Sequence, residues 1–524
     1  MRSSLKYSAF TVALLLLLTI LLLQISPVFN PLKWDEYIVL YDSQRLVLSQ
    51  TPYLDFFNII PPGSFLFFAA CFKLVGASTV TVGRYATLLI VILTTLLGFL
   101  LLKRRGWPSH AAFTVAIVYP VCVFPFWAIP SHHWLATACG VGLLLVLASG
   151  EKENWWKWGA AGLLSGLGGL FLQEAGLVFA VASVIFLLLE SKPGWKRFTA
   201  WSAGLSAVWI PVLGWLCADG ALHSTFEDLF LWPVKNYSRA GNENAVFPLL
   251  DVKWRLADVW TRFVEPETTR NLLIAFGGFL LYGMLLLLLG VLILLACRFL
   301  FRFIGRRKIG DPWMAAAVVV TFLQFGLVLK GSANWLHWLF VLPFLLLLWT
   351  AALAGIAQRV RTPPCRRVGG AMLLLLLTGG VIYHTRGLWV RFPRGWELID
   401  ADRPVRESPL NRFLHCPENL SQGRSVACFP EGGEVYLYGV RPAVGYTYFT
   451  PLSEKYSSLS DHRIVAKQLE KSRPLWIILP AVLEKEYVTP VSPVGLLIEK
   501  GYQRTRVIGD AVLYREKREW DRNQ

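Results

Sequence analysis

The chain has 524 residues, of which 55% are hydrophobic and only 16% charged, and its mean hydropathy is +0.49. Soluble domains carry about 25% charged residues and single cores stop growing at roughly 250–300 residues, so one soluble globule is excluded. The 22 Trp, 33 Phe and 17 Tyr exclude disorder. What remains is a polytopic α-helical membrane protein. The net charge of +17 then reads as basic cytoplasmic loops, not as a nucleic-acid footprint. The eight Cys form no CxxC pair and no metal-ligand spacing with His.

In chain order, a short basic head (residues 1–6) precedes an apolar run over 10–25. Gln24-Ile25-Ser26-Pro27 makes a poor cleavage site, so this run reads as an uncleaved first helix. Further apolar runs long enough to span fall near 80–102, 110–128, 133–149, 156–172, 175–190, 197–218, 270–297, 313–329, 335–356 and 369–386. Together they make about eleven transmembrane helices. The apolar stretch 62–76 is short and contains Lys73, and it is expected to lie along the outer interface. That choice puts Arg2 and Lys6, Lys103-Arg104-Arg105, Lys152 and Lys157, Lys192, Lys196 and Arg197, the 298–308 cluster and the 359–367 cluster on one side. By the positive-inside rule that side is cytoplasmic. The N-terminus is then inside and the C-terminus outside, with a first outer loop at 30–79 and a large one at 219–269.

Beyond residue 387 the chain turns polar. Short β-rich runs at 425–429, 434–438, 475–479 and 511–514 flank an amphipathic helix at 461–472. The expected organisation is a transmembrane domain over 1–386 and an extracytoplasmic α+β domain over 387–524. Outside the membrane disulfides persist, so a Cys416–Cys428 pair is expected. Asn236-Tyr237-Ser238 and Asn419-Leu420-Ser421 fit the glycosylation triplet.

The span interiors carry almost no charge, whereas transporters bury ionisable groups at mid-membrane. The unusual polar residues gather at outer ends. They are Asp35-Glu36, Tyr53, Asp55, Arg84, His132-His133, Gln173-Glu174, Lys330 and His337, and the large outer loop adds Glu227, Asp228, Lys235, Tyr237 and Arg239. The first outer loop reads Trp34-Asp35-Glu36-Tyr37, then Thr51-Pro52-Tyr53-Leu54-Asp55-Phe56 and Pro61-Pro62-Gly63. The apolar spacing over 37–48 suits a surface helix, and Pro61-Pro62 imposes an extended entry before the next helix.

This order of motifs resembles the GT-C class of membrane glycosyltransferases, especially the protein O-mannosyltransferase and lipid A aminoarabinose transferase superfamily. There an acidic pair follows the first helix, a Pro-Tyr-x-Asp … Pro-Pro-Gly stretch precedes interfacial helices, and a second span lies near an Arg, here Arg84. Gln173-Glu174-Ala175-Gly176, the 337–347 stretch and the 428–449 stretch agree with it as well. The resemblance implies a sugar taken from a polyprenyl phosphate in the outer leaflet and placed on a hydroxyl, or occasionally an amine, of a glycan, lipid or protein. It also implies a bacterial inner-membrane location with a periplasmic site. Asp35 matches the family's catalytic aspartate by position and would serve as the acceptor's general base, with Glu36 beside it. Tyr53, Asp55, Glu174 and His337 are candidate substrate contacts. Positive charge, or a divalent metal, is required for the phosphate. Aminoarabinose transferases often place Glu-Lys before the double proline where this chain has Asn58-Ile59-Ile60, so the phosphate contact falls to Lys330, Arg84 or Arg239.

Each candidate has a plainer competitor. Asp35 and Glu36 could form a solvated helix start, Asp55 a turn cap, His132-His133 an interfacial pair and His337 a packing residue. Glu174 could snorkel to water and Lys330 could anchor at the interface. At the level of the whole chain, the competing readings are a transporter or flippase of lipid-linked sugars and a non-catalytic envelope assembly protein.

Overall fold

A computed structural model describes residues 34–124, 127, 129–149, 155–190, 194–240, 311–330, 343–348, 402–416, 424–429, 433–445, 459–482, 484–488 and 492–517, with scattered positions in 257–301 and at 341, 375, 379 and 419. In chain order the helices are α1 (Trp34–Val47), α2 (Gly63–Val75), α3 (Val80–Arg104), α4 (Ser109–Val118), α5 (His132–Leu147), α6 (Trp155–Phe171), α7 (Gln173–Leu189), α8 (Trp195–Ala218), α9 (Leu222–Phe226), α10 (Trp232–Ala240) and α11 (Pro312–Lys330). The C-terminal region adds α12 (Arg403–Arg406), α13 (Pro409–Leu414), β1 (Val426–Cys428), α14 (Gly433–Tyr436), α15 (Leu459–Ser472), β2 (Trp476–Pro480), α16 (Glu484–Tyr487), α17 (Pro493–Gly501), β3 (Tyr502–Ile508) and β4 (Ala511–Glu516). The molecule is thus mostly helical with one small C-terminal sheet.

The chain divides into two compact units. The first comprises Met1–Asn30, Arg84–Val212 and Glu243–Leu398; the second comprises Pro31–Gly83, Leu213–Asn242 and Ile399–Gln524. The second unit therefore gathers residues 31–83 and 213–242 with the C-terminal region, although they are far apart in the chain.

In the first unit the apolar runs expected at 80–102, 133–149, 156–172, 175–190, 197–218 and 313–329 fall on α3, α5, α6, α7, α8 and α11. Of these, α3 and α8 are long and apolar enough to cross a membrane, whereas α5, α7 and Pro312–Leu327 of α11 are shorter apolar helices. The expected count of eleven spans depends on runs at 10–25, 270–297, 335–356 and 369–386, which lie wholly or mostly outside the described residues. The 110–128 run is not one continuous α-helix. After α4 it widens into a π-turn, Tyr119–Val123, because Pro120 has no N–H to continue the ladder. Close approach of α6 to α8 depends on glycine: a Cβ at Gly162 would strike the Trp201 carbonyl, and one at Gly204 the Gly159 carbonyl. Small residues at such contacts are how apolar helices pack without a solvent-driven force between them. At one end of these helices Glu190 accepts from Lys157 (3.4 Å) and Arg197 (3.0 Å), while Arg105 pairs with Asp311.

In the second unit the sheet order is β1-β2-β4-β3. β1 and β2 are parallel, joined by a crossover containing α15, and β4 is antiparallel to both β2 and β3. Side chains alternate across a strand, and here both faces are covered. Ala427, Ile477, Leu479, Val512 and Tyr514 pack with Val465 and Leu469 of α15 and Ile498 of α17. On the opposite face Val426, Cys428, Trp476, Ile478 and Leu513 pack with Leu414, Tyr436 and Tyr41 of α1. The Tyr41 and Tyr436 rings lie 5.4 Å apart, and Gln44 donates to the Leu437 carbonyl at 3.0 Å. The 37–48 helix is therefore not a surface helix. α1 is buried along most of its length, because its other side packs on α2.

α2 matches the expected short helix. Its 13 residues span about 20 Å, short of the roughly 30 Å bilayer core. Phe65, Phe68 and Phe72 are buried, while Leu74 and Val75 are exposed. Gly76 ends the helix in the left-handed region (φ 75°), its N–H on the Phe72 carbonyl. The double proline acts at its start: Pro62 is the N-cap and is already in the helical region (φ −72°, ψ −8°).

Three expectations about the C-terminal region are corrected. The 434–438 run is not a strand but the turn of α14. The chain has to reverse between β1 and Arg441, whose carbonyl accepts from Val426 N, and Tyr436 folds back so that its hydroxyl accepts from Cys428 N (2.8 Å) and donates to the Val426 carbonyl (3.2 Å). Cys416 and Cys428 are both free. Cys428 is buried at the end of the edge strand β1 and Cys416 is half-buried just beyond α13, both as free thiols, so the expected disulfide is absent. β3 was not expected from the sequence, because Gln503, Arg504 and Arg506 make it a polar edge strand, a common way of blunting sheet edges.

Asp402 ties the C-terminal region to the start of α3. Thr79 caps the helix through Val82 N (3.2 Å), and the Asp402 carboxylate accepts from Val80 N (2.8 Å), Thr81 N (3.1 Å), Thr81 Oγ1 (2.6 Å) and the Tyr438 hydroxyl (2.6 Å). A carboxylate at a helix N-terminus satisfies orphan N–H groups and complements the dipole. Asp402→Ala should therefore cost about 1–3 kcal/mol of stability, with Asp402→Asn losing less, as read from thermal unfolding of the detergent-solubilised protein.

Candidate functional site

The acidic pair opens α1. Glu36 is fully buried, which rules out a solvated helix start for that residue. The backbone of Asp35 is the second residue of the helix, and its side chain lies outside the described set. Glu36 lies close enough to Tyr438 for its charge to contribute to the phenol's raised pKa. Burial is the largest cause of that rise and the hydrogen bond to Asp402 the next.

Beyond α1 the loop is locked by one buried side chain. Arg45 donates from Nε to Gln50 Oε1 (2.5 Å) and from Nη2 to the Asp55 carbonyl (2.8 Å). Its guanidinium lies 4.3 Å from the Phe56 ring centre and 5.7 Å from that of Tyr41. The turn between closes on itself, since Asp55 Oδ2 accepts from Thr51 N (2.7 Å) while Asp55 N donates to the Thr51 carbonyl (2.9 Å). Asp55 thus acts as a turn-closing group with an exposed side chain. Tyr53 occupies the left-handed region (φ 67°), as does Ser49 (φ 61°). Non-glycine residues reach that region at a cost and persist there when their surroundings hold them. Tyr53 is buried, and its hydroxyl donates to the Ile60 carbonyl (2.7 Å).

Next to Tyr53 is a buried polar cluster that the sequence reading did not assemble. Asn58, fully buried, donates from Nδ2 to Asp42 Oδ2 (2.5 Å) and from its backbone N–H to Asp228. Asp228 sits in a π-turn, Glu227–Leu231, between α9 and α10, and single π-turns recur at functional sites. Trp232, the first residue of α10, packs edge-on against Phe57 at 5.2 Å. The one sequence signal for Asp42 is its spacing: it stands seven residues after Asp35, on the same helix face. Nothing local in the sequence joins Asp228 to Asn58.

The remaining sequence candidates are dispersed. Arg84 is buried on α3 and Glu174 is exposed at the start of α7, both in the first unit. Lys330 ends α11 and Arg239 lies in α10, with side chains outside the described set, and His337 lies outside it altogether. The His132 and His133 ring centres lie 4.1 Å apart, tilted by 33°, at the start of α5. Among the described residues no three His, Cys, Asp or Glu side chains gather as a metal set.

Burial pushes the Asp228 carboxyl up to about 8, opposed by the Asn58 N–H and reinforced by the Glu227 charge. An unfolded Asp ionises near pH 4, so between about 4 and 8 the folded chain binds more protons than the unfolded one. Stability should therefore fall as pH rises through that window and level off above it. Asp228→Asn should flatten this slope, making the variant more stable than wild type at pH 8 with the gap closing towards pH 4. Chemical denaturation at several pH values checks this, and a stability gap that does not change with pH would refute it.

No family model matches the chain, and no curated protein matches it by sequence. Solved structures do. The Archaeoglobus fulgidus oligosaccharyltransferase AglB, in complex with an inhibitory peptide and a dolichol-phosphate, aligns over 98% of this chain and 74% of its own, at 12% identity and a TM-score of 0.52. The apo form of the same enzyme aligns over 94% and 72%, at 13% identity and a TM-score of 0.50. ArnT from Cupriavidus metallidurans, bound to undecaprenyl phosphate, aligns over 97% and 98% at 12% identity, with a TM-score of 0.46 that is too low to add to the assignment. At these identities the likeness is one of fold: the chain shares the fold of the archaeal oligosaccharyltransferase.

Proposed function

We propose that this chain is an integral membrane glycosyltransferase that moves a sugar from a polyprenyl-phosphate donor to a hydroxyl or amine acceptor on the outer face of the membrane. The observation that carries this reading is the alignment of 98% of the chain with an oligosaccharyltransferase solved with a dolichol-phosphate and a peptide. Two further features support it: α3 and α8 are long and apolar enough to span, and α1 opens on Asp35-Glu36 as the resemblance in sequence requires.

In the proposed step the Asp35 carboxylate takes the proton of the acceptor hydroxyl. The acceptor oxygen forms its bond to the anomeric carbon while the bond from that carbon to the phosphate oxygen breaks. The electron pair leaves with the lipid phosphate, whose charge Arg84, Lys330 or Arg239 would meet. Glu36, buried one residue away, would hold the helix start and the local field in place. A single displacement inverts the anomeric centre. The sugar could be a hexose or a pentose, and the setting that suits the reading is a bacterial inner membrane with the C-terminal region in the periplasm.

The test is a mass profile of envelope glycans and lipid-linked sugars from cells lacking the protein, complemented with wild type or with equally expressed Asp35→Asn. Loss of one sugar mass from an acceptor, accumulation of its lipid-phosphate donor and rescue by wild type alone is the expected result, with inverted anomeric configuration in the product. Full rescue by Asp35→Asn removes Asp35 as the base. An unchanged profile favours the transport or assembly alternatives.

A further inference from the structure

The second unit contains a cleft of about 440 Å3 where the end of α1, one face of α2 and the last turn of α8 meet. That volume lies in the ordinary range for small-molecule sites. The cleft is at the end of α1 away from Asp35 and Glu36. Eleven residues of helix, about 16 Å, separate Glu36 from Val47, so the cleft is a different place from the proposed reaction centre.

Its lining has two characters. One wall is apolar: Leu46, Leu66, Ala69 and the half-buried Trp215 indole. The rim is polar: Gln50, Thr51, Asp219 and Lys73. The rim groups are held in place in advance. Thr51 Oγ1 donates to Asp219 Oδ2 at 2.9 Å, which leaves the other carboxylate oxygen to accept. Arg45 engages Gln50 through its amide oxygen, leaving the two amide N–H groups to donate. In the Ser49–Asp55 segment that carries Gln50 and Thr51, Ser49 and Tyr53 are held in the left-handed region, with Arg45 and the reciprocal Thr51–Asp55 bonds bracing the turn. Such strain at an otherwise open surface, paired with pre-set donors and acceptors, is the pattern of a binding site.

The charges select the ligand class. One ammonium (Lys73) and one carboxylate (Asp219) leave the rim neutral, so the attraction of a phosphate to Lys73 would be offset by its repulsion from Asp219. A neutral polyol suits it better. Its hydroxyls, each both donor and acceptor, match a rim offering a carboxylate, an amide and a hydroxyl, and the C–H face of a sugar ring matches a flat apolar indole.

We propose that this cleft binds a neutral carbohydrate, with Trp215 as the stacking platform and Asp219 and Gln50 as the hydroxyl-reading groups. This site stands on the cleft's own lining and not on the identity of the catalytic base. Bound there, a sugar unit remote from the reacting carbon would contribute binding energy to a longer glycan substrate.

Saturation-transfer NMR on the detergent-solubilised full chain tests it, with neutral methyl glycosides of glucose, mannose, galactose and N-acetylglucosamine as probes and inorganic phosphate as the anionic comparison. At least one glycoside should receive saturation, the signal falling fivefold or more in Trp215→Ala and in Asp219→Ala and persisting in Asp35→Asn. Asp219 and Gln50 lie at the rim, so Asp219→Ala and Gln50→Ala carry the test should Trp215→Ala fail to fold. No transfer to any glycoside in wild type overturns the proposal, as does transfer that survives the rim variants, transfer abolished by Asp35→Asn, or displacement of the glycoside by inorganic phosphate. Glycosyl transfer that survives Asp35→Asn would refute the proposed base while leaving this binding result intact.

Discussion

The second unit depends on the buried guanidinium of Arg45. A charge taken out of water is costly unless its donors are engaged. Here Nε is directed to the Gln50 side chain and Nη2 to the Asp55 carbonyl, with aromatic rings against the cation, while Nη1 has no hydrogen-bond partner among the described residues. Satisfying that charge fixes where residues 50–55 lie, and this in turn holds Ser49 and Tyr53 in a backbone conformation they would not adopt alone. The geometry of residues 49–55 therefore follows from one electrostatic requirement at the end of α1, and both the Tyr53 region and the rim of the neighbouring cleft inherit it.

α1 is the second organising element. One side packs on α2, while Tyr41 and Gln44 engage Tyr436 and Leu437 of the C-terminal region. A buried polar group is costly unless it is paired, and Asp42, Ser43 and Arg45 on this helix each make at least one such bond, although Arg45 Nη1 has no partner among the described residues. Asp42 accepts from Asn58, Ser43 donates to the Val39 carbonyl, and Arg45 is bound as described. This arrangement rigidifies the helix whose first turn holds Asp35 and Glu36. Asp402 extends the same logic to the start of α3, where a residue more than 300 positions away supplies the cap. Positioned reacting groups need supporting groups that are themselves locked, and in this unit the locking groups come from segments far apart in the chain.

The readable features were those set by composition over a window. Runs of apolar residues located α3, α5, α6, α7, α8 and α11, because a helix crossing hydrocarbon must be apolar along its length and satisfy its own backbone. The length of the 62–76 stretch identified α2 as too short to span. β1, β2 and β4 were legible as buried apolar strands, whereas β3 was not, since an edge strand carrying Arg504 and Arg506 has no such pattern. The 434–438 run misled because alternating Val, Tyr and Leu suits a strand equally well. The Tyr436 hydroxyl, with partners at Cys428 N and the Val426 carbonyl, selects the turn.

By itself, then, the sequence determined the mostly helical character of the molecule, the positions of its long apolar helices and the acidic pair at the start of α1, because hydrophobic length and charge act locally along the chain. Only the tertiary structure decided that Glu36 is buried, that Asp42, Asn58 and Asp228 share one polar cluster, that Cys416 and Cys428 stay apart, and that Trp215 and Asp219 face Gln50 and Thr51 across a cleft. Those outcomes depend on which distant segments meet. Burial and pairing, which set the chemistry of a carboxylate or an arginine, are properties of that meeting and not of any residue alone.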